Sequence, residues 1–497
     1  MIPTRRSLPL PMTPADFTAL SSNVARRLGD ALREGGFDDA YMSTAEAIAP
    51  RRFDTVRLPV VTAWLRVQSE PAAVLARLFA YADVVDGARA RNVLTAELCA
   101  ALLEAGALVE TSTGITSRIR VVPFCGIHVA SDPMETAGDP VMGPGAFTQE
   151  MADLMPISSG DRVLDVGSGA GSLALVAAAR GAGTVVGVDL HPRAAAVASF
   201  NAVLNGLTAR FETGDLTAPV VGEHFDLLVA QPPFVVKPDD VEATTYLHGG
   251  PEGDELALRL CAEVPAVLDD GGRALVLIET LRSPDAIGAR VGEAIGEGPI
   301  DAISIVTPGT SADMLALGYA AIAHPDLGEA YAQTAVRYWR HLHARGGAGT
   351  RHVLVDVRRD ATRSKARAVT IERQSLAGWT PAVLRQVEAA VALAVADAQT
   401  LAGARLRVPA GAVLSQSQSL DDGRTRLRLS WPGGGHDEQA LTDAAAVVTE
   451  AARAPTTVDA IVAAYAEAAD AAPDQVRAQV ESFVRQSLAT GLLVPCT

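Results

Sequence analysis

Between residues 165 and 250 lies a series of side chains and glycines whose spacing could do chemistry together. Asp165, Gly167, Ser168, Gly169 and Gly171 make an Asp-x-Gly-x-Gly-x-Gly loop. It joins a short apolar run, Arg162-Val163-Leu164, to a helix-forming run that starts at Ser172. Glycines there let the backbone turn tightly and approach a ligand, which is how a nucleotide cofactor is held. A second apolar run, Thr184 to Asp189, follows at strand–helix–strand spacing and ends in an acid that can take ribose hydroxyls. Further on, Phe225 to Ala230 runs straight into Gln231-Pro232-Pro233-Phe234. Two successive prolines fix two φ angles and remove two N–H donors, so the preceding side chain and carbonyl are held rigidly at the open end of a sheet.

Two cofactors compete for such a loop. A dinucleotide fold places its glycines as GxGxxG directly after the strand, whereas here an aspartate precedes them. That order resembles motif I of the class I S-adenosylmethionine (SAM) methyltransferases. Gln231-Pro-Pro-Phe234 resembles the Asn-Pro-Pro-(Tyr/Phe) motif of their amino-group, small-methyltransferase-like branch. The resemblance covers roughly residues 140–356 with its parts in order. It implies a doubly wound α/β fold, a seven-stranded sheet whose last strand runs antiparallel, and SAM as cofactor. By the same resemblance, Asp165 orients the loop and meets the amino-acid portion, while Gly167, Ser168, Gly169 and Gly171 admit the methionine end and ribose. Asp189 holds the ribose hydroxyls beside Leu190, and Gly214, Asp215 and Leu216 meet the adenine. The alternative is a doubly wound domain whose glycines only pack helix on strand.

Methyl transfer from SAM is an in-line displacement, and the cofactor already carries the activated group, so the protein aligns the nucleophile and excludes water. In the resembled family, the motif asparagine accepts hydrogen bonds from an amino group and aims its lone pair. Pro232 and Pro233 keep that role rigid, and Phe234 would stack on substrate or flank the sulfonium. Gln231 departs from the pattern: it keeps the amide but reaches one methylene further. An aliphatic amine suits it better than an adenine or a glutamine side chain, and an oxygen acceptor is the runner-up. An alkyl amine must lose its proton before attack. Tyr246 and His248, just past the motif, are the candidate bases; a lone loop histidine also reads as structural.

Net charge is −16 over 497 residues, a field that repels a long polyanion unless a basic patch offsets it. Arg358, Arg359, Arg363, Lys365 and Arg367 form one basic stretch, read as a solvated loop. Cys99, Cys125, Cys261 and Cys496 are scattered without a CxxC pair, which fits a reducing cytosol, and neither they nor the histidines have metal-ligand spacing. No apolar run reaches the ~18 residues of a membrane span.

Length predicts about three domains. Residues 1–14 read as a flexible tail and 15–135 as a helical, winged-helix-like domain. In the latter, Thr95 caps a helix that ends at Gly106, and strands at 108–111 and 117–123 flank a turn at Gly114. That helix is alanine, leucine and glutamate, so a structural or substrate-covering role is favoured over DNA reading. Residues 136–373 are the catalytic domain, with Gly143-Pro144-Gly145-Ala146-Phe147 either a cover over the cofactor or a plain linker. Residues 374–497 have strand-like stretches at 405–408, 412–418 and 425–431, then amphipathic helices. This tail is similar to the winged-helix modules that grip the leader of a ribosomal peptide as an added strand; dimerisation or packing is the alternative.

The expected function is therefore N-methylation of an amino group on a ribosomal peptide or another natural-product acceptor. The alternatives are an RNA base or protein glutamine methyltransferase, and a SAM-sensing DNA-binding regulator. A peptide or small molecule is the expected partner rather than nucleic acid or a membrane, and a homodimer stays open.

Overall fold

The computed structural model describes residues 14–48, 54–133, 136, 140–241, 246–324, 327–346, 348–418, 425–430 and 439–496. Nearly all of the tail read at 1–14, and the end of the strand-like stretch at Trp431, lie outside the described residues.

Apolar runs too continuous to alternate form a central sheet covered on both faces. Its strands are β1 (Arg162–Val166), β2 (Thr184–Asp189), β3 (Arg210–Thr213), β4 (Phe225–Ala230), β5 (Leu268–Thr280), β6 (Ile300–Pro308), β7 (Arg351–Arg359) and β8 (Arg367–Glu372). They lie in the order β8-β6-β7-β5-β4-β1-β2-β3. β7 is antiparallel to both its neighbours, and the other pairings are parallel. The antiparallel strand was expected; the eighth strand was not, and it corrects the count of seven. Arg367-Ala-Val-Thr-Ile-Glu372 had been read with the basic stretch, yet Val369 and Ile371 alternate and pack into the core.

The basic stretch is largely consumed internally. Arg358 pairs with Glu388, Arg367 with Asp301, and Arg359 donates to the carbonyls of Pro265 and Leu268. Few of these cations are left for phosphates.

Helices Ser172–Ala179 and Pro192–Asn205 connect β1 to β2 and β2 to β3. Between β6 and β7 sit two helices, Ala312–Ala323 and Glu329–Ala344. Their inner residues Leu315, Tyr319 and Tyr338 pack on Val235 and Val236, just past the double proline. This pair thus backs one wall of the space beyond Gln231.

In the N-terminal part, Thr95 caps helix Ala96–Glu104 through its hydroxyl, as expected. The strands pair differently from the expectation. Leu108–Thr111 pairs with Gly114–Ser117, and Arg120–Phe124 with Ile127–Ser131. The second hairpin turns at Cys125 and Gly126, with φ of 50° and 84°, which is the positive-φ pair a tight two-residue turn requires. One apolar cluster runs from Ala15 through the sheet to Val391. It includes Leu376, Trp379, Leu384 and Val387, so helix Pro381–Ala394 packs against the sheet's own core. The C-terminal helices Asp443–Ala451, Val458–Ala468 and Pro473–Thr490 have a separate core around Ile461, Val480 and Leu488.

Candidate active site

β1, β2 and β4 are parallel neighbours, so their C-terminal ends converge at one edge of the sheet. Those ends carry Asp165, Asp189 and Gln231, and a crevice outside such strand ends is where open α/β sheets bind ligands. The crevice here is a cavity of about 330 Å³. Its wall contains all but one of the candidate cofactor residues: Asp165, Gly167, Ser168, Gly169, Asp189, Leu190, Gly214, Asp215, Leu216 and Gln231. Gly171 alone stands behind the wall.

The loop turns through positive φ at Gly167, Gly169 and Gly171, at 74°, 51° and 79°. Such angles cost little only without a Cβ. At Gly171 a side chain would also meet Ala198 and the Phe211 ring within 2.9–3.2 Å. So Gly171 lets the loop and its helix close onto Ala198 and Phe211. The Gly167 and Ser168 N–H groups both donate to Val188 O, at 2.8 and 3.0 Å. Asp189 then fixes the next step: Oδ2 accepts from Gly169 N at 2.8 Å and Oδ1 from His191 N at 2.9 Å. The acid at the end of β2 therefore holds the loop's shape as well as facing the cavity.

Asp165 is buried and accepts from Ala174 N at 3.0 Å. Burial, with a contribution from nearby Asp189, pushes its carboxyl up to about 7 despite that hydrogen bond. The Ser168 hydroxyl is buried in the same loop with no hydrogen-bond partner, the mark of a group awaiting a ligand. Leu190 is 58% exposed at the cavity lip, an apolar surface that a flat base would cover. Asp215 lines the wall with its carboxylate held by Arg259 at 2.7 Å. These features fit a ligand with a cationic, amino-acid-like end and a ribose and base at the other.

The raised Asp165 carboxyl has a measurable consequence. Folded protein binds more protons at this group than unfolded chain between about pH 4 and 7, so the group lowers apo stability as pH rises through that window. A cationic ligand favours the ionised carboxylate. SAM binding at pH 7 is therefore expected to release about half a proton, falling to none by about pH 8.5, and Asp165→Asn should abolish the release. Calorimetry in buffers of different ionisation enthalpy measures it.

Pro232, Pro233 and Phe234 line the cavity too, and a Cβ added at Gly167 would lie 3.7 Å from Pro232 Cα, so the double proline sits beside the glycine loop. Thr148, on helix Ala146–Leu154, donates from its hydroxyl to Gln231 Oε1 at 2.9 Å and accepts from Gly145 N at 3.1 Å. Phe147 lies edge-to-face with Phe234, centroids 5.6 Å apart. Its ring also meets the His352 ring at 4.5 Å. The extra methylene of Gln231 is thus used to reach Thr148. For residues 143–147 the expectation is cover or linker; of these, Gly143 lines the cavity and the other four do not, while the flanking Val141, Met142 and Thr148 do. Thr148 and Phe147 carry no local signal that sequence reasoning could have used.

Of the two candidate bases, Tyr246 lines the cavity and His248 does not. His248 Nε2 instead meets the Tyr338 hydroxyl at 2.8 Å. Among the described residues, no group of three or more His, Cys, Asp or Glu side chains is placed to hold a metal ion, and no helix is long and apolar enough to cross a membrane.

Residues 146–294 match the family model described as Methyltransferase small domain, and residues 436–493 match Coenzyme PQQ synthesis protein D. A Methanocaldococcus jannaschii protein assigned as a protein N5-glutamine methyltransferase is 33% identical over 135 residues, 26% of this chain and 68% of that protein. A release factor glutamine methyltransferase of Deinococcus radiodurans is 37% identical over 132 residues, 25% of this chain and 47% of that protein. A ribosomal protein L11 methyltransferase of the same organism is 50% identical over 78 residues, 14% of this chain and 29% of that protein. The chain thus spans under half the length of the two Deinococcus relatives, and about two thirds of the archaeal one. The glycine loop, the acid ending β2 and the double-proline wall lie in the shared segment, and with them the chain belongs to the class I SAM-dependent methyltransferases that carry the methyltransferase small domain, with SAM as methyl donor.

Proposed function

We propose that the chain transfers the SAM methyl group to an amino nitrogen of a peptide, and that its C-terminal part grips that peptide. The observation that carries the first half is the amide of Gln231. It lines the same cavity as the glycine loop, made rigid by Pro232 and Pro233 and steadied by Thr148. A fixed amide beside the methyl donor orients a nitrogen nucleophile. Phe234 and Tyr246 give that side of the cavity an aromatic, water-poor character that favours the neutral amine.

The second half rests on the C-terminal sheet. The strand Val413–Gln418 is largely exposed, pairs with Thr425–Ser430, and presents Val413 and Leu414 to solvent at 55% and 47% exposure. An edge of this kind accepts an extended peptide as an added strand. The match to Coenzyme PQQ synthesis protein D over 436–493 supports the resemblance to leader-gripping winged helices. The accompanying division is 15–135, 136–373 and 374–497, with helix Pro381–Ala394 as the joint between the last two.

A protein glutamine acceptor is the second reading, favoured by the names of two relatives. An RNA base is less favoured, because Arg358, Arg359 and Arg367 are spent on internal partners. The regulator reading is disfavoured too, since the exposed positions of the candidate recognition helix, Ala96, Glu97, Ala100 and Glu104, carry neither a cation nor an amide to read base edges.

The test is a chain ended after Ala396, which keeps helix Pro381–Ala394 on its core. With a candidate precursor peptide, sought among the short reading frames beside this chain's gene, as acceptor, the shortened protein is expected to bind SAM as before and to lose methylation of the precursor by mass spectrometry. Equal methylation by both chains would remove the peptide-gripping role and leave the C-terminal part as packing.

A further inference from the structure

The N-terminal part of the chain is built into the cofactor site. Asp132 follows the hairpin strand Ile127–Ser131 and is buried. Its N–H donates to Val141 O at 3.0 Å, and its Oδ2 accepts from Val141 N at 2.8 Å. Both polar groups of Val141 are thus clasped by one residue. The other carboxylate oxygen accepts from Arg193 at 2.7 Å, and Arg193 also donates to Ala15 O at 2.9 Å. Arg193 is in the first turn of helix Pro192–Asn205, next to the cavity residue His191.

The clasped segment, Pro140 to Gly143, is cavity wall. It is held between two surfaces. On one side, a Cβ added at Gly143 would lie 2.6 Å from Ser131 Oγ, so Gly143 seats the segment against the hairpin. On the other, a Cβ at Gly169 would lie 3.8 Å from Met142 O, so the segment rests on the cofactor loop. Asn201 makes a second bridge: its amide nitrogen donates to Ala130 O and Ala170 O, at 2.8 and 2.9 Å, joining hairpin to glycine loop.

We propose that Asp132 is a positioning residue that fixes the 140–143 segment over bound SAM, making the N-terminal module a working part of the cofactor site rather than an acceptor- or DNA-reading unit. A buried carboxylate that accepts from Val141 N–H and is paired through both oxygens with Arg193 holds one geometry, and a wall held that way slows ligand escape.

The experiment measures dissociation constants and release rates for S-adenosylhomocysteine and SAM on full-length variants, beside the wild-type chain, whose titration reports separately on the cofactor reading. Asp132→Ala is expected to weaken binding on the order of tenfold and to speed release in proportion. Asp132→Asn keeps an acceptor for Val141 N–H and should lose clearly less. Removing a buried charge can unfold a chain, so Gly143→Ala gives an independent arm. It should weaken binding by displacing the segment from Ser131, and Ser131→Ala in that background, which removes the 2.6 Å contact and keeps the one at 3.1 Å to Ser131 Cβ, should recover part of the loss. Affinity within about twofold of wild type in Gly143→Ala and in folded Asp132→Ala overturns the proposal, as does a Gly143→Ala defect that Ser131→Ala leaves untouched.

Discussion

Replacing Asp189 by alanine is expected to weaken SAM binding on the order of a hundredfold, about 3 kcal/mol, while the protein stays folded. Two losses add. The cavity-lining carboxylate that we propose takes the ribose hydroxyls is gone, and a hydrogen bond to a charged group is worth about 1.5–3 kcal/mol. The Gly169 and His191 N–H groups also lose their acceptor, so the loop no longer holds its shape before the ligand arrives. Asp189→Asn retains an acceptor oxygen and should fall in between. Calorimetric titration reads both variants; an Asp189→Ala chain that binds SAM like the wild type would remove the carboxylate from the site.

Gln231→Ala is expected to behave in the opposite way. Turnover should fall on the order of a hundredfold while the SAM dissociation constant stays within about twofold, because the amide acts on the acceptor. Thr148→Val keeps the Gln231 amide but removes the hydroxyl that holds it, and should cost about tenfold in kcat, with Thr148→Ser close to wild type. Equal losses in turnover and in SAM affinity for Gln231→Ala would show that the residue serves the cofactor alone.

The contrast between Asp189 and Thr148 shows which parts of this site a sequence exposes. Asp165, the three glycines and Asp189 are legible because backbone geometry demands them within a short span: positive φ at Gly167, Gly169 and Gly171, and an acid where β2 ends. The double proline is legible for the same local reason. Thr148, Phe147 and Asp132 are not. Thr148 meets Gln231 across 83 residues of chain, and Arg193 meets Asp132 across 61, so no spacing or periodicity announces either pair. His248 was drawn in by proximity along the chain, yet its ring meets Tyr338 on the helix pair between β6 and β7. Strands failed where charge hid alternation. β8 carries Arg367 and Glu372 at its ends, and only its place beside β6 makes Val369 and Ile371 core residues. The region 108–131 holds two hairpins where one turn glycine, Gly114, signals a single one; the second turns at Cys125 and Gly126, and Cys125 is not a residue whose type announces a positive φ.

The central claim is that this chain moves a methyl group from SAM to a nitrogen of a peptide acceptor. The most direct measurement incubates the full chain and a candidate precursor peptide, sought among the short reading frames beside its gene, with SAM carrying a trideuterated methyl group, then fragments the product in a mass spectrometer. The account predicts the labelled methyl on an amino nitrogen of the peptide, absent from the Gln231→Ala reaction. A label on an oxygen or carbon atom, or an unlabelled peptide from a chain that binds SAM, would contradict it.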